Sequence, residues 1–377
     1  MQTPLNVPTR TAEANALAHG PFRMPRIIVT ERLVLCPLEM QHHAPLARFY
    51  ADGEASRFVG GPSDEAQSLM ALAFFAGQWQ LFGFGHYAIC DKAGTFVGAA
   101  GIYMPIHWPE PEIGYFIVPS AQRQGYGAEA VRAIRDEAAR RGATTLVSYI
   151  GPKNAPSVAL AESVGATLEG PIILRGEDAI VYRHEMPIGL DAPGEDIPYL
   201  EAQAMPSRIT TQRLTLTAWR ADHFEPFAKL FDDAPIARYI ASDVDRRTAW
   251  RAMVAGAGAW QLRGYGTYAI EHEGQFSGFC GLYYPLGWPQ IELAYTLAPH
   301  ARGKGFASEA VRAVRSVATA QGLGALESYI DPDNAASIKV AEGVGATLAG
   351  ETELNGVRVL IYRHPLEQII AREPVPA

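Results

Sequence analysis

At 377 residues, with 48% hydrophobic, 10% aromatic and 19% charged positions, the chain has the makeup of a globular protein with material for two cores, and disorder is excluded as its default state. A net charge of −8 without any dense Lys/Arg run argues against nucleic acid as a partner, and no stretch reaches the ~20 apolar residues of a membrane-spanning helix. Cys36, Cys90 and Cys280 are too far apart for a disulfide framework among neighbours or a CxxC zinc pair, so a cytoplasmic protein without a metal is expected.

The first 25 residues lack an apolar signal core and read as a mobile arm. A strand is predicted over Arg32 to Leu38, then helices over 41–52 and 63–81, the second with Ser63 as N-cap and Leu69, Leu72, Ala73, Ala76 and Trp79 at helical spacing. His86–Cys90 and Thr95–Tyr103 form a hairpin around Asp91-Lys92-Ala93-Gly94. The loop MPIHWPEPE leads into a strand from Glu112 to Val118, a glycine turn, and an alanine-rich helix to Arg141. A strand at Thr145–Ile150, a short helix near 154–164 and two strands, Ile172–Leu174 and Ala179–His184, complete the unit.

The whole order then repeats. TERLVL at Thr30 returns as TQRLTL at Thr211, an offset of 181, and EIGYFIVPSAQRQGYGAEAVRAIR at Glu112 returns from Glu292, an offset of 180, with 11 of 24 positions identical. SYIGPKNAPSVALAESVGATLEG at Ser148 matches the segment at Ser328 at 15 of 23 positions. A repeat of this length is a duplicated domain rather than a solenoid unit. The expected organisation is an arm over 1–25, domains over 26–186 and 207–366, a proline-rich acidic linker over 187–206 and a tail over 367–377.

Strand, glycine turn and helix start make an anion cradle, because the first N–H groups of a helix have no internal partner and the helix dipole adds positive character. The turn Gln122-Arg123-Gln124-Gly125-Tyr126-Gly127, and its copy Arg302-Gly303-Lys304-Gly305-Phe306-Ala307, resembles the Q/R-x-x-G-x-G/A acyl-CoA signature of the GNAT superfamily of N-acetyltransferases. The Trp-Pro loop and the Asn-x-x-Ser of the late helix are similar to the RimJ/RimL-like branch. The resemblance covers nearly the whole chain and implies an α/β (α+β) GNAT fold, a mixed and mostly antiparallel sheet flanked by helices, present twice. It further implies acetyl-CoA as co-substrate, with the pantetheine arm beside the Glu112–Val118 strand where that strand splays from the next. Val118 and Ala298, which lead into the two turns, are expected to contact CoA together with the turn residues.

Amide formation from a thioester needs a neutral amine, a polarised carbonyl and a proton for the departing thiolate. Glu112 and Glu292 are the candidate bases. Alternation places Glu112 with Gly114 and Phe116, and Glu292 with Ala294 and Thr296, on what reads as the more open face; a strand-edge carboxylate paired with arginine is the structural alternative. The tyrosine that many GNAT enzymes carry seven residues after the late asparagine is replaced here by Ala161 and Ala341. Ser157 and Ser337 are the substitutes suggested by the RimL-like pattern, while Asn154 and Asn334 either contact CoA or cap the helix. Trp108 and Trp288 wall the acceptor site or pack the loop. Trp79 and Trp260 pack helix on sheet, His184 and His364 read as structural, and His42-His43 is taken to have no counterpart and no role. The expected reaction is acetyl transfer to a primary amine, a peptide N-terminus or a small molecule, with one active site per domain and the domains packed as a pseudo-dimer. The alternative is a CoA-binding scaffold that has lost catalysis. Rossmann and P-loop spacings do not fit.

Overall fold

The computed structural model describes residues 10–106, 108–199, 204–240 and 244–365. The expected tail, the first nine residues of the arm and positions 200–203 of the linker lie outside them. The chain forms two compact units, 1–201 and 202–377.

The first unit runs α1 Ala12–His19, β1 Ile28–Val29, β2 Leu33–Pro37, α2 His43–Ala51, α3 Gly53–Ser56, α4 Glu65–Phe82, β3 His86–Asp91, β4 Phe96–Tyr103, β5 Glu112–Ile117, α5 Tyr126–Arg140, β6 Val147–Ile150, α6 Ala155–Ser163, β7 Thr167–Leu174 and β8 Glu177–Arg183. Its eight strands lie in the order β1-β2-β3-β4-β5-β6-β8-β7, and every pair is antiparallel except β5 with β6. The second unit repeats this with β9 Arg208–Thr210, β10 Thr215–Thr217, α7 Phe224–Ala228, α8 Ala234–Tyr239, α9 Arg246–Arg263, β11 Thr267–His272, β12 Gln275–Tyr283, β13 Glu292–Leu297, α10 Phe306–Ala320, β14 Glu327–Ile330, α11 Ala335–Gly343, β15 Thr347–Leu354 and β16 Val357–Arg363. Its sheet order is the same read from the other end. The expected fold class, a mostly antiparallel mixed sheet flanked by helices and present twice, is what the chain adopts.

The helix behind each glycine turn buries the stripe expected of it. Gly127, Val131, Ile134 and Ala138 are buried on α5, as are Ala307, Val311, Val314 and Ala318 on α10. In the second unit that stripe packs on Leu216, Tyr268, Ile270, Cys280, Leu282 and Leu293. The structure departs from the sequence reading at the arm, at one helix cap and at His42, among other places. Within the predicted arm, residues 12–19 are helical, capped by Thr11, with Ala14 buried and the Thr11 N–H bonded to Pro109 O. The N-cap of α4 is Asp64, not Ser63: the Asp64 carboxylate accepts the Gln67 N–H at 2.8 Å, while Ser63 gives its own N–H to Tyr50 O. His42 also has a counterpart, since His223 stands 181 positions on and closes the same turn; each ring Nδ1 accepts a backbone N–H, from Glu39 and Arg220.

Candidate active site

β5 and β6 share one ladder pair, Glu112 with Val147, and β13 and β14 share one, Glu292 with Glu327. Beyond that pair no ladder bond joins the strands, which leaves a notch in the middle of each sheet. Ser148 closes its floor: its hydroxyl donates to Ile113 O at 3.0 Å and lies 3.0 Å from His184 Nε2, and Ser328 does the same with Leu293 O and His364. Burial and the neighbouring Arg135 or Arg315 push both histidines down to about 4, so they are neutral stitches in the sheet and not acid–base groups.

Glu112 stands at the closed end of the notch. Its Oε2 accepts the Trp108 indole N–H at 2.5 Å, and burial pushes the carboxyl up to about 7 against that bond, the Tyr149 backbone N–H and the Arg175 guanidinium. Burial takes Glu292 up to about 8, opposed by the Tyr329 backbone N–H. Two groups that favour the ionised form of Glu112, the Trp108 indole and Arg175, which lies 4.7 Å over the Trp108 ring, have no counterpart acting on Glu292, where Asn355 stands in place of Arg175. Neither glutamate pairs with arginine in the way the structural alternative required. In the second copy Glu292, Ala294 and Thr296 are all half-buried, as an open face requires, whereas in the first Phe116 is buried and stacks on Phe49 of α2 with ring centroids 4.1 Å apart.

Aromatic groups surround that end. Tyr103 and Tyr149 meet Trp108 edge-on at 5.6 and 6.0 Å, and Tyr283 and Tyr329 meet Trp288 at 5.6 and 5.0 Å. Across the notch Tyr115 donates its hydroxyl to Ser157 O at 3.0 Å, and Tyr295 donates to Ser337 O at 2.8 Å. Asn154 and Asn334 cap α6 and α11, their side-chain oxygens accepting the N–H of Ser157 and Ser337 at 3.3 and 3.1 Å. Ala161 and Ala341 are fully buried core residues, so no hydroxyl replaces the expected tyrosine from those positions.

At the far end of the notch sit the turns. Residues 122–125 and 302–305 are exposed, and Gly125 and Gly305 begin α5 and α10 in the left-handed region with no side-chain cap on the helix N–H groups. The turn needs positive φ twice: Arg123 at 60° in one copy is Gly303 at 74° in the other. Val118 and Ala298 lead in, each N–H tied to the preceding strand. In the second copy Arg302 also pairs with Asp233 at 2.7 Å. Gly127 explains the G-x-G form. A Cβ there would stand 2.6 Å from Leu160 Cδ1, while the second copy carries Ala307 opposite the shorter Val340.

A brace behind each turn went unread in the sequence. Thr30 and Arg32 bind Glu129 of α5 at 2.6 and 2.7 Å, and Arg32 donates to Gln124 O at 2.8 Å; Thr211, Arg213, Glu309 and Lys304 O repeat this bond for bond. The signal was present in the repeated T-x-R-L of the first strand, and only folding connects it to the turn. Tyr115, Tyr149 and Arg175 were missed because they reach the site from separate elements.

The fold and the turn define a CoA-dependent acyltransferase class. A family model described as Acetyltransferase (GNAT) domain matches residues 32–167 and 213–347, most of the chain, and the chain belongs to that family. It is an N-acetyltransferase with acetyl-CoA as the donor of its family. It is 29% identical over 155 residues to the uncharacterized protein YkkB of Bacillus subtilis (strain 168), covering 37% of this chain and 84% of the relative. Among solved structures it is similar to an acetyltransferase of Agrobacterium tumefaciens str. C58, 35% identical with a TM-score of 0.40 over 42% of this chain and 94% of that one. An acetyl transferase of Salmonella typhimurium that modifies the N-terminal serine of ribosomal protein L7/L12 is 23% identical, with a TM-score of 0.37 over 42% and 97%. No helix among the described residues is long and apolar enough to cross a membrane.

Proposed function

We propose that each domain carries one active site that moves an acetyl group from acetyl-CoA directly to a primary amine in a ternary complex. The observation that carries this reading is the pair of buried carboxyls, Glu112 and Glu292, each at the closed end of a notch whose other end is a helix-start anion cradle. The cradle N–H groups of 122–127 and 302–307 would take the pyrophosphate, with Arg123 or Lys304 adding charge. Ile113 O and Ile117 O are bonded by Ser148 and Gln122 side chains rather than by a strand. The backbone of β5 at odd positions therefore faces the notch, and the Tyr115 and Ile117 N–H groups are donors for the pantetheine amide and the thioester oxygen.

Glu112, poised near neutrality, takes the proton from the amine as its nitrogen attacks the acetyl carbonyl. The new N–C bond forms, the C–S bond breaks, and the thiolate leaves toward the start of α6. There Ser157, beside the Tyr115 hydroxyl, donates a hydrogen bond to sulfur, and Ser337 beside Tyr295 does so in the second domain; Asn154 and Asn334, besides capping, keep their amide N–H groups for CoA. Trp108 and Trp288, with the tyrosines around them, wall the acceptor amine. A peptide N-terminus fits the RimJ/RimL-like pattern of the Trp-Pro loop and Asn-x-x-Ser.

The test is release of free CoA from acetyl-CoA across a panel of peptide and small amines. Glu112→Gln together with Glu292→Gln should abolish release and leave acetyl-CoA binding at two sites. An unchanged rate in the double variant removes the base assignment, and two-site binding without turnover on the whole panel moves the protein to a non-catalytic CoA-binding reading, which the buried Ala161 and Ala341 would suit.

A further inference from the structure

Away from the notch, β2, β3 and the turn ahead of α2 bring together three groups that acetyl transfer does not use. The sulfurs of Cys36 and Cys90 and a ring nitrogen of His42 all lie within 4.8 Å of one another. The register sets Val34 opposite Cys90 and Cys36 opposite Ala88, so the two cysteines are diagonal neighbours on one face of adjacent strands. His42 Nδ1 accepts the Glu39 N–H at 3.0 Å, which places the ring proton on Nε2, and the ring lies within 4.8 Å of the Cys90 sulfur. Cys36 is half-buried and opens the pair to solvent; Cys90 is 8% exposed.

The duplication shows what this pocket is built to hold. By the repeat, Cys36, His42 and Cys90 correspond to Thr217, His223 and Glu271. His223 has the same tautomer, its Nδ1 accepting the Arg220 N–H at 3.2 Å, and its Nε2 lies 3.0 Å from the Glu271 carboxylate. The position of Cys90 is thus where this fold sets an anion against an imidazole N–H.

We propose that Cys36 and Cys90 are a redox-active dithiol, in which Cys90, held by the His42 Nε2–H, is the thiolate that reacts with a hydroperoxide and Cys36 is the thiol that resolves it. With hydrogen peroxide, the Cys90 thiolate attacks one oxygen, the O–O bond breaks, and the departing hydroxide takes a proton and leaves as water. Cys36 then gives up its proton and attacks the Cys90 sulfenic acid; the S–O bond breaks, a second water leaves and the disulfide forms. Two thiols have lost two electrons and two protons to the peroxide. The groups facing the pair agree with this division of labour: Cys36 and His42 hold Cys90 down to about 5 against burial and Asp91, while the neighbouring Cys90, burial and the Glu39 carboxylate hold Cys36 up. A three-donor metal site is the weaker reading, because a ligating histidine nitrogen must be free of the proton that Nε2 carries here.

The test treats the full chain with stoichiometric hydrogen peroxide near pH 6, using Cys280, fully buried in the second unit, as the internal reference. The expected product has lost two hydrogens by intact mass, links Cys36 to Cys90 on peptide mapping, leaves Cys280 free and returns to the dithiol with reductant. Cys36→Ser should leave a dimedone-trapped sulfenic acid on Cys90, and His42→Gln should slow alkylation of Cys90 near pH 6 by roughly tenfold or more by moving its midpoint toward the ordinary thiol value of ~8.5. An unchanged wild-type mass with an alkylation midpoint at the ordinary value overturns the proposal, and so does stoichiometric zinc binding that Cys36→Ser, Cys90→Ser and His42→Gln each abolish.

Discussion

Glu112 and Glu292 keep their protons at pH values where a free carboxyl has lost them, and this has kinetic and thermodynamic consequences. With Glu292→Gln, the remaining activity should rise with pH through a midpoint near 7, and with Glu112→Gln through one near 8, read from CoA release against pH. Trp108→Phe and Arg175→Gln each remove an interaction that favours the ionised form of Glu112, so both should move the first midpoint upward and leave the second in place. The stability effect runs the other way from the usual carboxylate. The folded protein holds a proton that the unfolded chain releases above about 4.5, so each site's contribution is complete below that pH and is lost as pH rises through 7 to 8. Glu112→Gln should therefore stabilise the first unit by about 1–3 kcal/mol at alkaline pH and by little at acid pH, as thermal unfolding at the two pH values would reveal. Glu112 was legible in the sequence because it opens a repeated strand. Its partners were not: Arg175, the Tyr149 N–H and the tyrosine walls reach it only when β6 and the β7–β8 turn close around it.

Between the glycine turn and the late helix, one contact has been written in two compatible ways, Gly127 against Leu160 and Ala307 against Val340. Gly127→Ala alone should overpack and cost about 1–3 kcal/mol, and adding Leu160→Val should recover most of it; additive losses in that double-mutant cycle would refute the pairing. The brace behind the turn predicts a different signature. Arg32→Ala should weaken CoA binding in the first domain about tenfold, by calorimetric titration, with the acceptor KM unchanged, since Arg32 holds Gln124 O and Glu129 and touches nothing near Trp108. Helices and central strands were readable from periodicity, and the turn from its duplicated glycines. The sheet edges were not. β7 begins at Thr167 rather than near Ile172, because an exposed edge strand with Gly170, Pro171 and a register shift has no apolar alternation to read. β1, two residues long, and α1, eight residues long with few buried positions, are too short to announce themselves.

On the scale of the whole molecule, duplication has kept the architecture of the notch and varied what surrounds it. The notch, the glutamate at its closed end, the cap, the brace and the Ser–His stitch recur, whereas Arg175, Trp108 burial and the cysteine pair belong to the first unit. Each single glutamate variant should therefore remove one activity and leave the other, and an acceptor that one site uses well need not suit the other; equal loss on every acceptor from both variants would contradict two separate sites. The lone ladder pair in the middle of each sheet has a last consequence. A continuous sheet ties its two wings together through a row of cooperative bonds, but here the wings β1–β5 and β6–β8 are joined in the ladder at Glu112 and Val147 alone. A pantetheine chain laid along β5 would act as a splint across that fault line, so the donor is also a structural part. Hydrogen exchange of the β5 amides should slow sharply when acetyl-CoA is added, and the unfolding temperature should climb with the logarithm of its concentration.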